Sequence, residues 1–113
     1  MGTVFDILKS IEQHPNVHLG GTDSDREIQL RRLEMLLLGY SHALNQHGFD
    51  EPGVGFLHEL GAYLKGRFGW SMSAGVIEAV LRESGNANDA WQTFWNSVWA
   101  FQESLKETQD PLS

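Results

Sequence analysis

Trp91, Trp95 and Trp99 recur at four-residue intervals, with Phe94 and Val98 between them on the same broad side. Indoles at that spacing share a face only on a helix, where residues three and four apart are neighbours. Each indole buries about 150–250 Å², so three in a row demand a partner layer wide enough to cover them. The same period runs through the rest of the chain. Leu30, Leu33, Leu37, Tyr40 and Leu44 alternate spacings of three and four, and Ile28, Met35, Leu36 and Leu38 widen that stripe until little polar face remains. A helix apolar on most sides is expected at the centre of a bundle, covered from several directions. Shorter stripes comprise Phe5, Ile7, Leu8 and Ile11, then Phe56, Leu57, Leu60, Tyr63, Leu64 and Phe68, then Val76, Ile77, Val80 and Leu81. Phe101 falls outside the tryptophan stripe and is expected to point elsewhere. No alternation long enough for a strand occurs. These patterns predict an all-α fold, a compact bundle of about five helices in one domain over residues 1–113.

Breakers and caps divide the stripes. Thr3 and Asp6 are spaced as a cap for a first helix ending at Gln13, and Pro15 stops it. Residues 14–23, HPNVHLGGTD, read as a loop. Ser24-Asp25-Arg26-Glu27 has the form of a capping box opening the second helix. Gly39 inside that helix costs about 1 kcal/mol relative to Ala, which points to close approach by a neighbour; Gly48 ends the helix. Asp50-Glu51-Pro52 opens a third, which ends at Gly66 or Gly69. Trp70 to Ser73 is a turn, Gly85 closes a fourth helix, and the fifth starts at Asn88 or Asp89. Thr108 to Ser113, containing Pro111, is expected to be a frayed tail. Glu78 and Arg82, four apart, are expected to form a surface pair, while Glu103 and Glu107 repel unless a base lies over them.

Composition excludes several classes. With 113 residues, 41% hydrophobic and 20% charged, the chain can bury a core without disulfide or metal staples. The absence of cysteine excludes a disulfide framework, a thiolate metal site and a cysteine nucleophile. Fifteen acids against eight bases, a net charge of −7, argue against nucleic-acid binding, which needs clustered Lys and Arg. The uncharged stretch Met35 to Phe49 contains His, Asn and Gln and is too short to span a bilayer. The first residues lack a basic segment followed by an apolar run, so no secretory leader and no membrane partner are expected. Met1-Gly2 starts like a myristoylation site, but Asp6 stands where Ser or Thr is required.

Catalytic patterns fail on inspection. Gly61 to Phe68 superficially resembles a phosphate loop, but Arg67 and Phe68 replace the Lys and the metal-binding hydroxyl, and no strand precedes it. Gly69-Trp70-Ser71-Met72-Ser73 lacks the closing Gly of a nucleophile elbow. His14 and His18 are four apart across Pro15, two ligands at most. No catalytic residue, metal site or cofactor is therefore expected. The alternative reading is a small helical enzyme or metal/ligand carrier that uses His42, His47 or His58 with Glu59 inside the bundle.

Charge is unevenly placed. Residues 1–25 hold four acids and one base, and residues 68–113 hold six acids and two bases, while Arg26, Arg31 and Arg32 cluster early in the second helix. Such a distribution favours encounter with a basic partner. Asp23, Asp25, Asp50, Glu51 and Asp89, near helix starts and loops, are the expected steering residues. Trp70 is the expected aromatic anchor, because it stands in a turn outside the helical stripes and Trp is enriched at interface hot spots.

The segment Phe56 to Glu103 carries an aromatic-Gly-Trp turn (Phe68-Gly69-Trp70) before a short helix, then Asp89-Ala90-Trp91 and a final aromatic helix. In this it resembles the C-terminal half of small, acidic, helical immunity proteins of bacterial toxin–immunity systems. The resemblance implies a cytoplasmic, non-catalytic binding protein that neutralises a cognate protein toxin. Many such toxins are nucleases with basic active-site clefts, which suit an acidic inhibitor. Homo-oligomerisation is a further expectation for the chain.

Overall fold

The computed structural model describes residues 4–46 and 55–109, with the side chains of 44–46 and 107–109 left out of account. Six helices occur among the described residues, with no strand: α1 (Val4–Gln13), α2 (Pro15–Leu19), α3 (Arg26–Gln46), α4 (Phe56–Phe68), α5 (Val76–Ser84) and α6 (Ala87–Gln109). None is long and apolar enough to cross a membrane. The all-α bundle is as expected, and α6 continues through Thr108 and Gln109, the first residues of the expected tail. Thr3, Gly48, Asp50-Glu51-Pro52 and the rest of the tail lie outside the described residues.

The extra helix is α2. Pro15 ends α1 but also starts α2, because a proline at the first helical position loses no hydrogen bond and has its φ already set. Gly20 closes it at φ 74°, donating its N–H to the Asn16 carbonyl at 3.0 Å. The start of α3 also differs from the expected box. The helix begins at Arg26, and the carboxylate that reaches back is Asp25, accepting from the Thr22 N–H at 2.8 Å. In α6 the Asn86 side chain caps the first turn: its carbonyl accepts from the Asp89 N–H at 2.8 Å and its amide donates to the Asp89 carboxylate at 2.9 Å. Gly69, not Gly66, ends α4, at φ 74° with its N–H on the Lys65 carbonyl at 2.8 Å.

The core gathers Leu8 and Ile11 of α1, Leu30, Leu33 and Leu37 of α3, Leu60 and Leu64 of α4, Ile77 and Val80 of α5, and Phe94, Trp95 and Val98 of α6. Trp95 is the central indole, edge-on to Trp91 and Phe94 and stacked on Trp99. Trp91 and Trp99 are half-buried: Trp91 lies under the Arg26 guanidinium at 4.4 Å, and Trp99 Nε1 donates to Glu12 at 3.1 Å. Phe101, expected to point elsewhere, is buried. Seven residues after Phe94 is two helical turns, so both rings share one face, and Phe101 packs with Phe5, Phe56 and Tyr63.

One other expectation is corrected. Glu78 pairs with Arg31 on α3 rather than with Arg82, whose guanidinium instead meets Glu83 and the Ser71 carbonyl. Lys106 lies beside Glu103 at 3.4 Å, while the Glu107 side chain lies outside those described. The long helix α3 is covered on one side only: Ile28, Met35, Leu36 and Leu38 are exposed, and a Cβ added at Gly39 would meet nothing within 4 Å.

Candidate functional site

The α4–α5 connection builds the expected anchor. The stripe predicts a buried Phe68, but as the last residue of α4 it is 48% exposed. Gly69 then turns the chain with a positive φ that only glycine adopts without strain. This brings Trp70 back over Phe68, rings stacked with centroids 4.7 Å apart and planes 22° apart. Arg82 pins the turn by donating to the Ser71 carbonyl at 3.1 Å, and the Gly75 N–H closes it on the Met72 carbonyl at 3.0 Å. Arg67 lies 5.4 Å from the Phe68 ring centre and donates to the Tyr63 hydroxyl at 2.7 Å. The result is a half-exposed aromatic platform on a braced turn.

Beside it lies a hollow of about 340 Å³, lined by Trp70, Glu83, Ser84, Asp89, Gln92 and Thr93. Trp70 and Asp89, chosen from sequence for different reasons, therefore meet at one site. Glu83 joins them, a residue that sequence reasoning missed because nothing in its spacing marks it; only the packing of α5 on α6 brings it there. Glu83 already pairs with Arg82 at 3.0 Å, so Asp89, whose carboxylate accepts from the neutral Asn86 amide, is the one whose charge can meet a Lys or Arg side chain beside the indole.

The other expected residues divide. Asp23 is exposed and pairs with Arg26 at 3.3 Å, and Arg26 in turn covers Trp91, two residues along α6 from Asp89. Asp25 is half-buried, its carboxylate accepting from the Thr22 N–H at 2.8 Å and from the Thr22 hydroxyl at 3.3 Å. Asp50 and Glu51 lie outside the described residues, as does His47. His42 and His58 are both exposed rather than inside the bundle. Among the described residues no group of three His, Asp or Glu side chains is arranged to hold a metal ion.

A second hollow of about 530 Å³ runs between α3, α4 and the turn before α5, with Leu38, Leu57, Met72 and Val76 below and Glu34, His58 and Lys65 on its rim. Gly61 lets α4 approach there: a Cβ on it would come within 3.3 Å of Val76 Cγ2. Burial raises the Glu34 pKa above the usual carboxylate value, and the Glu78 charge adds to the shift while Arg31 opposes it.

No protein-family model, curated protein or solved structure matches this chain.

Proposed function

We propose that this protein is a non-catalytic binding module, an immunity protein that binds and neutralises a cognate protein toxin of basic character in the bacterial cytoplasm. The observation that carries the reading is the Phe68–Trp70 platform set against Asp89 and Glu83. An aromatic stack on a braced turn is a rigid anchor that loses little freedom on binding. The Asp89 carboxylate beside it gives the anchor a polarity that fits a Lys or Arg on the partner. The chain's charge of −7 favours encounter with a basic surface from any direction.

The test is co-expression with the protein encoded beside its gene, followed by calorimetry and stopped-flow binding. Trp70→Ala is expected to weaken binding by a hot-spot increment, about 30-fold or more. Asp89→Lys is expected to slow association and to flatten its dependence on salt. A stable complex that both variants form as tightly and as fast as the parent would exclude this face, and the lack of any complex would exclude the function.

A further inference from the structure

The outer face of α3 is a second surface, sharing no residue with the Trp70 platform. Ile28, Arg32, Met35, Gly39 and His42 are all exposed and follow one another at spacings of four, three, four and three. That is the seam spacing of one helix laid along another, with Leu36, Leu38 and Ala43 flanking it. Met35, at 73% exposed, is the most prominent side chain on the seam. Gly39, one turn on, is its emptiest position, with nothing within 4 Å of where a Cβ would stand. A helix-interior glycine with no neighbour among the described residues has no local explanation, and neither has an apolar ridge exposed beside it.

We infer that the occupant of this face is a second copy of the chain, its α3 packed antiparallel across a two-fold axis between Met35 and Gly39. Three observations select a copy over an unrelated partner. First, the surface is self-complementary. With the axis at that point, each Met35 enters the space over the other copy's Gly39, and the flanks meet like with like, Leu36 beside the other copy's Leu36 and Leu38 beside its Leu38. One symmetric contact thus fills both hollows. Second, the charge fits. From Met35 to Gln46, α3 carries no Asp, Glu, Lys or Arg, so two chains of net charge −7 meet there without like charges opposed. Third, the size fits a reversible pair. Ile28 to His42 spans about 21 Å of helix, a strip at the low end of specific interfaces, about 600 Å² per partner. A strip this short is on the scale of a reversible pair, not of the large apolar interfaces of permanent dimers.

Sedimentation equilibrium of the full chain from about 1 to 300 μM tests this, with a monomer–dimer constant in the tens of micromolar expected. Met35→Glu should weaken association at least tenfold. Gly39→Leu separates the proposal from a merely structural role. It should raise the thermal midpoint at a concentration where the chain is monomeric, because leucine favours the helix and meets no clash, yet weaken the dimer at least tenfold by filling the space that Met35 occupies. Val17→Glu, at the 82% exposed position on α2, should leave association unchanged. A chain that stays monomeric throughout, or a dimer that tolerates either α3 substitution, would overturn the inference.

Discussion

Replacing Gln29 by leucine removes a buried polar clasp while keeping its volume nearly constant. Gln29 is fully buried on α3, yet all of its side-chain polar atoms are engaged. Its amide donates to Asn16 Oδ1 at 2.7 Å and to the Gly20 carbonyl at 2.9 Å, while its carbonyl accepts from Arg26 at 2.7 Å. One side chain therefore ties α2 and the Gly20 turn to the start of α3. Each bond contributes about 1 kcal/mol net, and because Asn16 and Gly20 lie near water, part of the loss is recovered by hydration. Gln29→Leu is expected to lower stability by about 2–3 kcal/mol, a fall of about 10 °C in midpoint for a domain of this size. Urea unfolding followed by circular dichroism measures the first figure, and amide exchange across residues 15–22 should speed up by more than global unfolding explains.

Gln29→Glu provides the internal control. It keeps the acceptor that meets Arg26 at 2.7 Å, but as a carboxylate it has no N–H for Asn16 Oδ1 or the Gly20 carbonyl. At pH 7 it should therefore stay less stable than the parent through loss of the two donated bonds, partly offset by a charge-assisted bond to Arg26. A Gln29→Leu stability within about 0.5 kcal/mol of the parent, or a Gln29→Glu variant as stable as the parent at pH 7, would refute the clasp.

Trp95 Nε1 is buried with no hydrogen-bond partner among the described residues. Trp95→Phe should therefore stay within about 1 kcal/mol of the parent, since removing an orphaned donor offsets the lost packing, whereas Phe94→Ala should lose about 3–5 kcal/mol in the same urea assay. Glu34→Gln should raise the thermal midpoint at pH 7 and have much less effect at pH 4: the raised pKa means that the folded chain disfavours the ionised form, which the parent must adopt as pH rises. Gly69→Ala forces a side chain into positive φ, at a cost of about 1–2 kcal/mol. It should also change tryptophan emission by loosening the Phe68–Trp70 stack, and unchanged emission would mean that Gly69 does not set the stack.

Helix positions were legible because burial imposes a period, and the stripes of α1, α3, α5 and α6 follow it. The errors fall where period is silent. Pro15 signals a stop and a start equally well, and only the docking of Leu19 into the core settles which, by adding α2. Phe101 was misplaced because the tryptophans drew the stripe to one flank of α6, while Phe5, Phe56 and Tyr63 cover the other. The anchor was half legible: Trp70 and Asp89 carried their own signals, and Glu83 had none.

Local sequence by itself determined that the long striped segments coil, that Pro15 ends the first of them and that a glycine at 66 or 69 ends the helix of Leu60 and Leu64. These are properties of a few neighbouring residues, set by propensity, capping and period. Only the tertiary structure decided which apolar side each helix buries. Leu33 and Leu37 are enclosed and Met35 is left in water on the same helix, because α2, α4, α5 and α6 all pack on one side of α3. An apolar side chain carries no direction of its own. The neighbours that arrive confer it, and they come from far along the chain.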